Sequence, residues 1–263
     1  MHLSTERQQV ADMARRCANE QIRPQAERLE REGAFAADIS WIHNAPVADV
    51  AFVLARTDPA AGKRGMSIFI VDCALAGVTR EAKEDEPGQR SSPVGELPFD
   101  NVALPVDALP GLQGRGFQMM TSVLDEGRVG IAALAAGILQ TALEASIAQA
   151  RVRKQSGQPI AGFQRIPFML AGMAKDTEAA RLPVRSAAQQ RGAGVDATTA
   201  AAMAKCLAGD AAVAHSAMQI FGASGCIPGC EIERPCRDAK IRQVHGGASQ
   251  IRRRIIARKS IDG

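Results

Sequence analysis

Hydrophobic residues recur at helical spacing over much of the chain, and this pattern predicts a mainly α-helical protein. Near the start, Val10, Met13 and Cys17 follow that spacing within a helix predicted over about residues 4–32. After residue 116, alanine-rich segments with the same period predict further helices at about 117–155, 163–191, 196–221, 232–242 and 248–257. Because short glycine-containing breaks join these segments, we expect a C-terminal four-helix-type up-and-down bundle.

Short runs rich in β-branched and aromatic residues lie between the first helix and the bundle. They predict strands at 51–55, 66–71, 78–82 and 96–99. Proline and glycine then cluster between Pro105 and Gly116, and no strand is predicted beyond them. We therefore expect a residual N-terminal helix at 1–35, a partial β-barrel or β-sheet domain at 36–110 and a helical bundle at 111–263.

Composition and charge narrow the class of protein. The 263 residues are 46% hydrophobic and 23% charged, as in ordinary globular proteins. No apolar run approaches the roughly 18 residues of a membrane span, so we expect a cytoplasmic protein without a membrane partner. The formal net charge of +4 is too small to indicate a nucleic-acid partner. A basic cluster near the C-terminus is interpreted as a solvated helix face or as contacts to an anionic ligand: Arg252, Arg253, Arg254, Arg258 and Lys259.

The chain has six cysteines, three of which lie close together in the sequence. Cys226, Cys230 and Cys236 are followed by His245, but their spacing departs from the paired ligands of zinc knuckles. We therefore expect no metal site and interpret the three as small, buried, reduced thiols.

A series of short motifs in a fixed order resembles acyl-CoA dehydrogenases. The segment Trp41-Ile42-His43-Asn44 is similar to the family's W-I-T-N strand, and residues 124–132 are similar to L-D-x-G-R-I-G-I-A. Further matches are Arg153-Lys154-Gln155-Ser156-Gly157 to R-K-x-F-G and residues 237–241 to R-D-A-K-I. The resemblance runs from Ser40 to the C-terminus, whereas the family's stretch between the first helix and Trp41 is missing. The chain is thus identified as an internally truncated member of this family.

The resemblance implies FAD as cofactor. In relatives the flavin ring leans on the tryptophan of the W-I-T-N strand, and an arginine and a glutamine reach the cofactor from a neighbouring subunit. The positions that match these and the other cofactor contacts are Trp41, Ile42, His43, Arg153, Gln164, Gln219, Gly222 and Gln250.

The reaction that the resemblance implies is α,β-dehydrogenation of an acyl-CoA thioester, in which a glutamate removes the α-proton. The two positions at which relatives carry this glutamate are Gly246 and Gly127 here. Glu126 and His245 are weak substitutes for the missing base. The backbone around residue 246 matches the family, so a glutamate at this position is expected to restore the base. Asp125 and Arg128 match substrate-binding positions.

Three functions stay open at this point. The chain is an acyl-CoA dehydrogenase with impaired activity, a non-catalytic partner subunit or remnant that contributes FAD-binding residues across a subunit interface, or a helical interaction module without a ligand. The family implies an acyl-CoA substrate, a second copy or a related chain as partner, and a flavoprotein as electron acceptor.

Overall fold

The computed structural model describes residues 35–214 and 216–262, and the side chains of residues 42–212 and 216–262. The helix predicted over residues 4–32 lies outside these ranges. The described residues form two compact units, one of residues 35–86 and 90–122 and one of residues 87–89 and 123–262.

The first unit contains two antiparallel strand pairs. Strand β1 (Phe35–His43) pairs with β4 (Val94–Val102), and β2 (Val50–Arg56) pairs with β3 (Met66–Asp72). The turn between β2 and β3 closes tightly, because a Cβ added to Gly65 would lie 1.9 Å from the carbonyl oxygen of Asp58. The buried residues of this unit come from both pairs and from the segments beside them: Ala45, Val53, Val71, Cys73, Leu97, Phe99 and Val102.

The strand predicted at 78–82 is wrong in its extent, because the structure has only a single bridge between Val78 and Phe99. The segment nevertheless follows β4: the amides of Thr79 and Glu81 donate to the carbonyls of Pro98 and Glu96 at 3.1 and 3.2 Å. The next such bond comes from Glu84, three residues later instead of two. One extra residue interrupts the ladder, as in a β-bulge.

The second unit is helical, and the prediction of a mainly α-helical fold with small sheets is confirmed. Its helices are α1 (Gly116–Val152, whose first turns belong to the other unit), α2 (Arg165–Gly192), α3 (Thr198–Ala214), α4 (Ala217–Phe221), α5 (Glu233–Val244) and α6 (Ser249–Asp262).

Two details of the helical prediction are corrected. The segment predicted as one helix at 196–221 is divided into α3 and α4, with Ser216 before the second. The first long helix ends at Val152 because a small hairpin follows, formed by β5 (Lys154–Gln155) and β6 (Gln158–Pro159). Ser156 and Gly157 turn this hairpin with φ of 49° and 82°, the combination that a two-residue type I′ turn requires. The expectation of no strand after residue 116 is therefore wrong.

Alanine dominates the core of the second unit. Ala132, Ala135 and Leu139 of α1 are completely buried, and alanines of α2, α3 and α5 pack against them. Such small side chains let helices approach closely. By length and composition alone α1 could cross a membrane, since its mean hydropathy reaches 1.6, but the same helix supplies this core.

Candidate functional site

Several of the residues predicted to bind cofactor lie on elements that share one small core cluster of the helical unit. This cluster has Ala142, Met173, Ala217, Ile220 and Ile232 at its centre. The segment after the β5–β6 hairpin, the first turns of α2, and α4 all pack against it through partly buried side chains: Ile160, Ile166, Met169, Leu170 and Phe221. We call this part of the helical unit the hairpin end.

The polar residues of the hairpin end face solvent. Arg153, Gln164 and Gln219 are exposed, and none of their side chains has a hydrogen-bond or ion-pair partner among the described residues. Arg153 is fixed through its backbone, because its amide donates to Gln149 at 2.9 Å and its carbonyl accepts from Ile160 at 2.8 Å. Gln164 also lines an open groove of about 450 Å³ with Arg165, Phe168 and Met169. The guanidinium and the two amides are thus available to a ligand.

Gly222 ends α4 in a conformation that requires glycine. Its φ of 62° and ψ of −144° lie in a region that only glycine adopts without strain. No atom lies within 4 Å of the position that a Cβ would occupy, so the backbone presents an open face here.

The predicted cofactor residues of β1 are only partly described. Trp41 lies within β1, but its side chain is outside the described part of the structure. Ile42 is exposed and pairs with Gly95 across the sheet, next to an irregularity between Ile39 and Ile42. His43 is half-buried, with Nδ1 3.3 Å from the hydroxyl of Ser92.

The predicted substrate residues form a buried ion pair on α1. Arg128 Nη1 donates to Asp125 Oδ1, and the two residues are 7% and 8% exposed. Thr198, in the first turn of α3, donates its hydroxyl to Asp125 Oδ2 at 2.8 Å. Burial and the two hydrogen bonds to Asp125 therefore set this pair apart from a solvated helix face.

Neither family position for the base offers a carboxylate. Gly127 lies on an exposed face of α1, and the neighbouring Glu126 is engaged in an ion pair with Arg191. His245 caps the C-terminal end of α5 with its amide 2.8 Å from the carbonyl of Ile241. Gln250, predicted to contact cofactor, is exposed in the first turn of α6.

The expectation that a glutamate at residue 246 restores the base stays a prediction, and the observed backbone is unfavourable for it. Gly246 has φ of 66°, a left-handed angle that disfavours residues with a Cβ. A Cβ there would also lie 2.2 Å from Cδ1 of Ile131 in α1.

A group of buried cations near Gly246 and Gly247 was not predicted from the sequence. Lys205 of α3 is completely buried and donates from Nζ to the carbonyls of Gln243 and Gly247, at 2.9 and 2.7 Å. Burial lowers the pKa of Lys205 from 10.5 to about 8. Arg242 and Arg252 are each 4% exposed, and burial lowers the pKa of both guanidinium groups. Arg252 was visible in the sequence only as one of a basic cluster, whose other members are exposed.

The three cysteines interpreted as buried thiols are not uniformly buried. Cys226 is exposed, with its sulfur 3.8 Å from that of Met218, and Cys230 is half-buried. Burial raises the pKa of the half-buried Cys236 thiol to about 11. The described residues contain no group of three or more potential metal ligands.

Comparison with known proteins gives the family. Residues 39–102 match the middle domain of acyl-CoA dehydrogenases, and residues 114–261 match the C-terminal domain. This chain belongs to the acyl-CoA dehydrogenase family. The resemblance seen in its motifs is therefore confirmed. Members of the family are FAD-dependent flavoproteins.

Individual relatives agree in sequence and in fold. An acyl-CoA dehydrogenase of Bacillus subtilis is 41% identical over 225 residues, which are 85% of this chain and 59% of the relative. The human mitochondrial short-chain specific acyl-CoA dehydrogenase is 40% identical over 220 residues, 83% of this chain and 53% of the relative. The structure of butyryl-CoA dehydrogenase from Megasphaera elsdenii superposes with a TM-score of 0.83 and 35% identity, covering 87% of this chain and 60% of the other. The chain thus spans little more than half the length of these acyl-CoA dehydrogenases.

Proposed function

We propose that this chain is an FAD-binding, acyl-CoA dehydrogenase-type oxidoreductase with impaired dehydrogenation of acyl-CoA thioesters. The observation that carries the cofactor part is the hairpin end, where Arg153, Gln164 and Gln219 present unpartnered polar groups around one core cluster. A permanently charged guanidinium suits a pyrophosphate, and the open backbone at Gly222 admits close approach of a ligand. These residues fit a dinucleotide.

FAD, when bound, would supply the hydride acceptor of the reaction. In this proposal Arg153, Gln219 and Gly222 hold the phosphate-bearing part of the cofactor across a subunit interface, while Trp41, Ile42 and His43 of β1 line the flavin. Gln164 and Gln250 are further contacts. Asp125 and Arg128 orient an acyl-CoA substrate. An electron-accepting flavoprotein and a cytoplasmic location remain predictions from the family and the composition.

Impairment follows from the missing carboxylate. A general base contributes roughly 10²–10⁴-fold to the rate of such a step. Glu126 is held by Arg191 on the surface, so it is a poor substitute. Binding of cofactor and substrate does not require the base and is expected to survive its loss.

The test is a fluorescence titration of FAD against the purified chain. Loss of one charge-assisted contact costs about 1.5–3 kcal/mol, so Arg153→Ala should weaken binding about 10-fold to 100-fold. Arg151→Ala is the matched control, since Arg151 is an equally exposed arginine two residues earlier. Absence of FAD binding by the wild type, or equal weakening by both variants, would contradict the proposal.

A non-catalytic partner subunit is the second candidate, and the glycines at 127 and 246 favour it. Such a subunit would donate Arg153 and Gln219 to the cofactor site of a related chain that has its own base. Co-expression with a full-length acyl-CoA dehydrogenase discriminates the two candidates. A mixed oligomer with turnover that depends on Arg153 of this chain supports the second, and separate elution of the two proteins excludes it.

A further inference from the structure

The helical unit buries more positive than negative charge. Arg128, Lys205, Arg242 and Arg252 are 7%, 0%, 4% and 4% exposed, whereas Asp125, at 8%, is the one buried carboxylate among the described residues. Taking an ion out of water costs several kcal/mol unless an opposite charge and hydrogen bonds compensate. The burial of four cations with one carboxylate therefore requires an explanation.

The hydrogen bonds of these cations leave the guanidinium of Arg252 only partly satisfied. Arg128 has the carboxylate of Asp125, and Lys205 has two carbonyl oxygens. Asp210, the acidic residue nearest in sequence to Lys205, already accepts from Gln243 at 3.0 Å and from Arg253 at 2.7 Å. Nε and Nη1 of Arg252 have no acceptor within the part of the chain that the structure describes.

The guanidinium of Arg252 lies directly against the backbone at Gly247. A Cβ at Gly247 would be 2.6 Å from Nη2 and 3.2 Å from Nε, so the glycine makes room for this side chain. Lys205 donates to the carbonyl of the same glycine. The charge of Arg128 lowers the pKa of Arg252 and the charge of Asp125 raises it, so both members of the Arg128–Asp125 ion pair lie near this guanidinium. Lys205 and Arg252 thus converge on Gly247, with that ion pair beside them.

We propose that Arg252, with Arg128 and Lys205 beside it, binds an oxyanion next to Gly247. The ligand chemistry is a carboxylate or a phosphate group, which would accept from the free donors of Arg252 and neutralise part of the buried charge. A water molecule could accept hydrogen bonds from these nitrogen atoms, but it would not neutralise the positive charge of the guanidinium. In this proposal Arg252 is the member of the basic cluster of α6 that contacts an anionic ligand. The other members of the cluster form a solvated helix face.

This inference shares Arg128 with the substrate part of the proposed function, but it does not require FAD to bind. It also lies apart from the exposed hairpin residues named for the cofactor. Failure of FAD binding and failure of anion binding are therefore separate results.

The experiment is calorimetric titration and thermal unfolding of the full chain with sodium acetate, inorganic phosphate or, as the ionic-strength control, sodium chloride. We expect saturable binding with a stoichiometry of one and a rise in unfolding temperature with acetate or phosphate but not with chloride. Acetate alone identifies a carboxylate site, and phosphate alone a phosphate site.

Variants tie the effect to the buried arginine. Arg252→Gln should lower affinity at least tenfold and should raise the unfolding temperature in chloride, because it removes a buried charge that has two nitrogen atoms without acceptors. Arg254→Gln, at an exposed position of the same helix, should behave as wild type. Arg252→Lys keeps the charge, removes the planar fork and should bind with intermediate affinity.

Two results would overturn the inference. One is the lack of saturable binding of either anion by the wild type, a measurement that does not depend on any variant folding. The other is an equal response of Arg252→Gln and Arg254→Gln, which would reduce the effect to general salt stabilisation.

Discussion

The glycine at residue 246 leaves the predicted base position without a carboxylate, and its backbone conformation makes a substitution there unfavourable. The residue at this predicted base position is a glycine, with a positive φ and with Cδ1 of Ile131 close to the position that a Cβ would occupy. A side chain at this position must therefore strain the loop backbone and displace the end of the Ile131 side chain. Sequence similarity predicts that a glutamate is missing at this position. The backbone angle determines how much strain a glutamate introduced there would cause.

We therefore predict that Gly246→Glu destabilises the protein and leaves acyl-CoA dehydrogenation negligible, as in the wild type. The strained angle alone should cost about 1–3 kcal/mol, measured as a lower unfolding free energy in urea. Turnover is assayed with acyl-CoAs of several lengths and an artificial electron acceptor.

Gly137→Glu is the control for this substitution, because Gly137 is exposed within α1 and has no atom within 4 Å of its Cβ position. Glycine inside a helix costs about 1 kcal/mol, so this variant should be as stable as the wild type or more so. Robust turnover by Gly246→Glu would show that the loop relaxes to accept the carboxylate. Robust turnover by the wild type would show that Glu126, His245 or a partner's carboxylate acts as base.

At the scale of elements, Lys205 joins α3 to the loop between α5 and α6. Its two hydrogen bonds reach the carbonyl of Gln243, in the last turn of α5, and the carbonyl of Gly247, in the loop. A neutral amine still has two N–H groups, so both bonds survive deprotonation. The charged form, however, bears the cost of burial and of the nearby Arg252.

This arrangement predicts a stability that rises with pH. The folded-state pKa of Lys205 is about 8, below its ordinary value of 10.5, so the unfolded chain binds more protons between these values. The unfolding free energy should increase by about 2 kcal/mol from pH 7.5 to 9.5 through this group. Burial of the Cys236 thiol opposes this trend, because its raised pKa of about 11 lowers stability toward pH 9.5. The increment is therefore measured by urea unfolding at the two pH values as the amount by which the pH dependence falls from the wild type to Lys205→Met.

The control for the pH prediction is Lys175→Met, since the Lys175 side chain is 76% exposed and its pairing with Asp176 lies on the surface. This variant should keep the wild-type increment. An unchanged pH dependence in Lys205→Met would mean that another group titrates, and the assigned pKa of Lys205 would be wrong.

Elements with strong periodicity were predictable from the sequence, and those without it were not. The long helices were found because alanine recurs on their buried faces, as at Ala201, Ala204 and Ala208 of α3. The β5–β6 hairpin was missed because all its residues are exposed and no apolar alternation marks it. Lys205 was passed over for a related reason, since one lysine within an alanine-rich helix looks like a solvated position. Burial of a charge is a property of packing and leaves no periodic signal.

At the scale of the whole molecule, apolar residues remain exposed on the helical unit. Met203 and Leu207 of α3 are four residues apart on one helix face, and both are exposed. They line an open groove of about 770 Å³ together with Pro183, Ala211 and Ile256. Exposed apolar patches of this kind mark interaction surfaces in soluble proteins.

We predict that the chain self-associates through this face. Sedimentation velocity at micromolar concentration should show a dimer or larger species. The double substitution Met203→Glu, Leu207→Glu should shift this species toward monomer. The reason is that a symmetric dimer would then bury four carboxylates, which repel one another and lose hydration. The control adds the same charge at exposed polar positions of α2, Ser186→Glu with Gln189→Glu, and should leave association unchanged. A folded wild-type monomer would contradict the prediction outright. If both pairs of substitutions dissociated the oligomer equally, the dissociation would result from the added net charge and not from a change in this apolar face.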